Sequence, residues 1–240
     1  MVRGHKTGEV IAVAKESGGM RPLIMSSILR RVALAGVAKT LRAPVSVAVG
    51  PHQLGVGTAD GCAKAYHTMC VLSRLRPGKA AMALDVSAAH QSLDRTFMKA
   101  EVARECPELS RPLSVWYAPG DSSTHWWRTG DGRVHDIEVG QGVDQGCPLS
   151  PALFAIAIAP ALGRVAAALR ELDPDALVFA YLDDVVVPKF DNALQRVGRS
   201  RDAFELSGGG FVATGRDDAA VNKMYEWIRQ RVGFYGSTPS

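Results

Sequence analysis

Two carboxylates at adjacent positions, Asp183 and Asp184, lie between the apolar runs Phe179-Ala180-Tyr181-Leu182 and Val185-Val186-Val187. β-Favouring runs on both sides of so short a polar step read as two strands joined by a hairpin turn at the acidic pair. Taken alone, the pair is a solvated turn. With a third acidic group beside it, it becomes a divalent-metal site, because hard cations such as magnesium take clustered carboxylate oxygens. Asp85, near the end of the strand-like run over residues 80–86, is the candidate for that third group.

The remaining pattern mixes helices and strands without strict alternation, which predicts an α+β architecture. Residues 10–14 read as a short strand, followed by a turn at Ser17-Gly18-Gly19. Residues 26–41 carry apolar side chains at helical spacing, with Ser26 or Ser27 as N-cap and Pro44 as the stop. Residues 58–75, 93–105, 109–117 and 149–172 read as further helices, the last with a kink at Pro160. Gly130-Asp131-Gly132 is a hairpin signal between β segments over 124–128 and 133–139. Beyond the acidic hairpin, residues 192–205 and 219–232 are expected to be helical.

If the strand of Asp85 pairs beside the hairpin, three carboxylates converge on one spot. Like charges a few Å apart repel strongly in a low-dielectric site. Two divalent cations would neutralise them and serve phosphoryl-type chemistry, helping a hydroxyl to attack and a pyrophosphate to leave. A third element is the loop Gln141-Gly142-Val143-Asp144-Gln145-Gly146-Cys147-Pro148-Leu149-Ser150-Pro151. Its glycines allow close approach of backbone to a substrate. Pro148 and Pro151 stiffen the entry to the next helix, with Ser150 as N-cap and Pro151 as the first helical residue. The loop is either a structural cap or a nucleotide-facing element in which Gln145 meets the incoming base or sugar.

An apolar fraction of 47% over 240 residues supplies a core. A formal charge of +4 and a pI of about 9.0 suit an anionic partner. Lys64, Arg74, Arg76 and Lys79 read as a solvated face or as template contacts. Of Trp126 and Trp127, at most one is expected to be buried, since strand neighbours face opposite sides. The four cysteines form no C-x-x-C pair, which argues against structural zinc and for reduced, intracellular thiols. The first residues resemble no signal peptide, and the longest apolar run, 152–163, is too short to span a bilayer, so a soluble protein is expected.

Leu84-Asp85-Val86-Ser87-Ala88-Ala89-His90, Gln145-Gly146-Cys147-Pro148-Leu149-Ser150-Pro151 and Tyr181-Leu182-Asp183-Asp184 resemble, in that order, the motifs of reverse transcriptases. The Q-G-x-P-L-S-P form is closer to the non-LTR (LINE-type) retrotransposon enzymes and their group II intron relatives than to the retroviral ones. Arg21-Pro22-Leu23 and Pro51-His52-Gln53-Leu54-Gly55 resemble the same family's finger motifs. One such motif is weak, whereas three in order are specific.

The resemblance implies a right-hand polymerase of the α+β class. Fingers would span 1–80, with part of 107–140 inserted. A palm with an antiparallel sheet packed on helices would span 81–215, and a truncated tail over 216–240 would stand in place of a full thumb. It implies Asp85, Asp183 and Asp184 as catalytic acids, with metal held at Asp85, Val86, Asp183 and Asp184. It implies nucleotide contacts at Lys15, Arg21, Ala89, His90, Gln145 and Gly146, where a guanidinium fork suits triphosphate oxygens. Tyr181, Pro148 and Ser150 would meet primer and template. Two Mg²⁺ (or Mn²⁺), an RNA template with a DNA primer, dNTPs, a larger polyprotein with endonuclease and thumb, and a nuclear location follow from the same resemblance. His90 stands where the family has a Phe or Tyr gate against the ribose 2′-OH. The alternative is a truncated, inactive relic that at most binds nucleic acid.

Overall fold

The computed structural model describes residues 7–14, 19–75, 80–86, 88–117, 123–172, 174–190, 203–204 and 211–214. In chain order its elements are β1 (Gly8–Ala14), β2 (Met20–Ser26), α1 (Ile28–Thr40), α2 (Arg42–Ala48), α3 (Gly61–Leu75) and β3 (Ala80–Val86). Then follow α4 (Ala89–Ser92), α5 (Arg95–Glu105), α6 (Ser110–Trp116), β4 (Ser123–Arg128), β5 (Val134–Val139) and α7 (Ser150–Leu172). The last strands are β6 (Phe179–Tyr181), β7 (Asp184–Phe190), β8 (Ala203–Phe204) and β9 (Phe211–Thr214). Two compact units emerge, Met1–Val45 with His90–Ala157, and Ser46–Ala89 with Ile158–Ser240.

The first unit is built on a sheet of order β2-β1-β4-β5. β1 and β2 pair antiparallel from Gly8↔Ser26 to Ala14↔Met20, and β1 meets β4 in parallel at Glu9↔Trp126. β2 was not expected, because Pro22 interrupts the pattern. The strand lies at the sheet edge, where a residue lacking an N–H is tolerated. The β4–β5 hairpin forms as expected, its turn closed by Gly132 N–H donating to the Thr129 carbonyl at 2.9 Å. Trp126 is half-buried and Trp127 exposed.

The expected N-cap of α1 forms, and the expected stop needs correction. Ser27 caps α1, its Oγ accepting from Arg30 N–H at 3.3 Å, while Ser26 belongs to β2. Pro44 does not end the helical stretch. The chain restarts at Arg42 as α2, with Pro44 in the first turn, where its missing N–H costs nothing. The apolar stripe of α1 is also not its inner face. Ile28, Leu29 and Val32 are exposed, while Arg30 and Leu34 are buried.

The second unit carries a sheet of order β6-β7-β3-β9-β8. β3 lies at its centre, antiparallel to both β7 and β9. Residues 203–204, within the span expected to be helical, form β8 beside β9. The rest of that span, Lys15, Ser87, Arg76, Lys79 and the helix expected over 219–232 lie outside the described residues. The apolar run read as too short for a bilayer continues to Glu171. By length and composition α7 is thus long and apolar enough to cross one, and 61% of its 18-residue apolar stretch is buried inside the protein. Residues 152–157 of α7 are all buried.

Candidate active site

The acidic turn is a two-residue hairpin. β6 and β7 pair as Phe179↔Val186, Ala180↔Val185 and Tyr181↔Asp184, leaving Leu182 and Asp183 between the strands. Leu182 has φ +58, a conformation that glycine favours at the first central position of such a turn. Asp183 is half-buried, while Tyr181 and Asp184 are exposed. On its other side β7 pairs with β3 through Met82↔Val187, Ala83↔Val186 and Leu84↔Val185. That ladder ends at Leu84↔Val185, one residue short of Asp85 on β3 and of Asp184 on β7. Asp85 and Val86 pair in turn with Val212 and Phe211 of β9.

The backbone thus brings the three candidate acids to one end of neighbouring strands. Among the described side chains no three metal-ligating groups cluster, and the Asp85 side chain is not one of them. Carboxylates at adjacent sheet positions are the donor set a hard divalent cation takes, so the chemistry of these residues fits magnesium or manganese.

The segment before α3 runs along β6. Gln53 bridges Ala180 in parallel, Leu54 N–H donates to the Ala180 carbonyl, and Ala180 N–H donates to the His52 carbonyl, both at 2.7 Å. These residues were read only as a motif of the fingers, yet they add a short length of backbone pairing to the hairpin itself.

The glycine-punctuated loop belongs to the first unit. Gly142 N–H donates to the Leu93 carbonyl and Val143 N–H to the His90 carbonyl, both at 2.8 Å. Gln141 Nε2 donates to the Ser92 carbonyl at 2.7 Å. Arg95 binds the loop from beneath, through Nε to the Gly142 carbonyl (2.7 Å) and NH1 to the Val139 carbonyl (2.8 Å). Ile24 N–H of β2 donates to the Gln145 carbonyl at 2.7 Å.

Gly142 has φ +77, and a Cβ there would stand 2.6 Å from Gln91 Cα. Gly142→Ala is therefore expected to destabilise the protein by at least about 1–2 kcal/mol, the cost of left-handed backbone alone. A lowered denaturant midpoint would show it.

Of the residues expected to face a nucleotide, Gln145 is half-buried, and its Oε1 is buried with no hydrogen-bond partner among the described residues. Gly146 and Arg21 are exposed, and Ala89 is buried. The His90 ring stacks on Phe154, with centroids 4.8 Å apart and planes 20° from parallel. Pro148 is half-buried. Ser150 is the first helical residue rather than the cap. Its hydroxyl donates to the Asp144 carbonyl at 2.7 Å, and the Leu149 carbonyl accepts from Leu153 N–H.

Asp144 was not singled out from the sequence, although every polar group it has is engaged. Arg30 NH2 donates to Oδ2 at 2.7 Å, His125 Nε2 lies 3.2 Å from Oδ1, and the backbone N–H of Asp144 donates to Tyr117 Oη at 3.2 Å. Arg30 and Arg95 stack over the rings of Trp116 and Tyr117, each 5.1 Å from the centroid. Burial alone would push the Asp144 carboxyl up. The His125 hydrogen bond and the Arg30 charge outweigh it and hold the group below the ordinary carboxylate range. Burial raises the Tyr117 phenol, and the Asp144 charge raises it further. The sequence signal was faint: one of two adjacent arginines amid the apolar residues of α1, and one acid next to Gln145.

Comparison with known proteins gives three findings. The family described as reverse transcriptase (RNA-dependent DNA polymerase) matches residues 13–196. Uncharacterised proteins of Mycobacterium bovis and Mycobacterium tuberculosis are 47% identical over 60 residues, 25% of this chain and 18% of each relative. An apo telomerase of Candida tropicalis, truncated from its C-terminal domain, superposes with a TM-score of 0.57 at 13% identity, over 80% of this chain and 45% of that one. Telomerase of Candida albicans, in complex with a fragment of telomeric RNA, gives 0.56 at 12% identity, over 79% and 39%. The chain therefore spans less than half the length of these relatives.

Proposed function

Because this chain belongs to the reverse transcriptase (RNA-dependent DNA polymerase) family, a family of nucleotidyltransferases, we propose that it is the fingers-and-palm part of an RNA-directed DNA polymerase of the non-LTR, LINE-type kind. Its fold is the α+β fold of right-hand polymerases. The reaction adds dNMP units from dNTPs to the 3′-OH of a DNA primer on an RNA template. The observation that carries this reading is the β3–β7 ladder ending at Leu84↔Val185, one step short of Asp85 and Asp184.

Asp85, Asp183 and Asp184, with the backbone at Val86, would hold two Mg²⁺ or Mn²⁺. Bound there, the ions would supply neutralising charge for pyrophosphate departure. The protein's own groups position the reactants. The unpartnered Gln145 Oε1 supports a nucleotide-facing role, since a buried acceptor left unsatisfied costs about 1–3 kcal/mol that a donor on the substrate would offset. Arg21, exposed on β2, suits the triphosphate, and Lys15, between β1 and β2 in sequence, together with Gly146 and Ala89, would be further nucleotide contacts. Tyr181 meets the primer end, and Pro148 and Ser150 keep the template side of the loop in place. The duplex is held by phosphate contacts that weaken as salt rises. The nuclear location and the larger polyprotein belong to the same LINE-type proposal.

Primer extension on poly(rA)–oligo(dT) with Mg²⁺ tests the reading, run with dTTP and UTP in parallel. Incorporation of dTTP in preference to UTP is expected. Folded protein that incorporates neither would point to an inactive relic. His90, held by its stack on Phe154, would meet the sugar. His90→Ala is expected to raise UTP use relative to dTTP by about tenfold or more, as for loss of one steric contact in a pocket. An unchanged ratio would remove His90 from that role.

A further inference from the structure

We infer that Gln53 is a positioning residue for the acidic turn. The inference rests on the assignment of Asp183 to the metal site. Gln53 is 1% exposed. Its Oε1 accepts from Leu182 N–H at 2.8 Å and from Gly55 N–H at 2.9 Å, and its Nε2 donates to the Leu182 carbonyl at 3.1 Å. The amide thus does for Leu182 what a facing strand residue would do.

Leu182 is the residue that needs such a partner. Its φ of +58 costs a non-glycine residue about 1–2 kcal/mol, and its two neighbouring peptide groups lie outside the β6–β7 ladder. The N–H that Gln53 takes belongs to the peptide entering Leu182. The carbonyl it binds belongs to the peptide leaving for Asp183. Fixing both planes fixes the direction in which the Asp183 Cα departs, and with it the approach of the carboxylate to its neighbours.

The surrounding segment holds Gln53 in turn. His52 Nδ1 lies 2.9 Å from the Val178 carbonyl, and the backbone of His52 and Leu54 brackets Ala180. At Gly55 a Cβ would stand 2.7 Å from Leu182 N, so glycine is what lets this segment come so close. Of the side chains with this reach, only glutamine offers an acceptor and a donor side by side. Glutamate at neutral pH lacks the donor, and leucine lacks both.

The test uses the full chain with Mn²⁺ as probe, its binding read by electron paramagnetic resonance alongside thermal unfolding. Wild type is expected to bind Mn²⁺ and Asp183→Asn to lose it. Gln53→Leu is expected to weaken Mn²⁺ by about 10–100-fold, as loss of an outer-shell partner does at other metal sites. Gln53→Glu is expected to weaken it similarly near pH 8. Relative to wild type at the same pH, it should recover near pH 5.5, where a protonated buried carboxyl regains the donor. A merely structural role would lower the melting temperature of both variants and leave Mn²⁺ affinity and its pH dependence unchanged. Wild-type affinity in both Gln53 variants, with Asp183→Asn defective, would overturn the role of Gln53 alone. Wild-type affinity in Asp183→Asn, or no Mn²⁺ binding by wild type, would overturn the metal-site reading beneath it. If Gln53→Leu does not fold, Gln53→Glu at the two pH values decides the matter.

Discussion

Asp183→Asn is expected to reduce primer extension by about a thousandfold or more while leaving the protein folded. The substitution keeps the size and shape of the side chain and removes its charge. A carboxylate that holds a catalytic cation supports several kcal/mol of charge stabilisation in the transition state, and each 1.36 kcal/mol is a factor of ten in rate. Stability should change little, because Asp183 is a half-buried turn residue outside the β6–β7 ladder. The two measurements are the rate of dTTP incorporation and the melting temperature, taken on the same preparation. Equal incorporation by wild type and variant would remove Asp183 from the chemistry.

The largest effect on stability is expected at Asp144. Replacing it by alanine leaves Arg30, 2% exposed, with its charge buried and the Asp144 carboxylate gone. Removing one member of a buried ion pair typically costs about 3–5 kcal/mol. The loss here should lie toward the upper end, since His125 Nε2 loses its Oδ1 partner at the same time. Denaturant unfolding of the alanine variant against wild type measures it, and a change below about 1 kcal/mol would mean that the network is worth little.

The same group predicts a pH dependence. The folded-state pKa of Asp144 is depressed, so its contribution is fully present above the unfolded value of about 3.9. It is lost as pH falls through the folded value. Wild type should lose stability in acid below about pH 4, and Asp144→Asn should show a shallower loss over the same range.

Much of this was legible in the residues. The acidic hairpin, the Gly130-Asp131-Gly132 turn and the long helix after Ser150 carry strong local signals, and they formed where expected. β2 was hidden because Pro22 reads as a breaker, and only the position of the strand at a sheet edge makes it acceptable. The inner face of α1 was hidden for a different reason. Periodicity counts apolar side chains, whereas here a buried arginine satisfied by Asp144 and stacked on Trp116 decides which side turns inward. Gln53 and Asp144 act through pairings 129 and 114 residues apart in sequence, and no local pattern announces such partners. The candidate acids were found by type and order. Their mutual register needed the sheet.

The central place of β3 has a consequence for synthesis. Both strands that pair with it come from far downstream, β7 after about 100 further residues and β9 later still. At about 5–20 residues per second, the strand bearing Asp85 leaves the ribosome roughly 5–20 s before its first partner exists. During that interval an apolar strand with both edges open is a target for chaperones and for aggregation. Production of the protein should therefore depend more on cellular folding assistance than its size alone suggests.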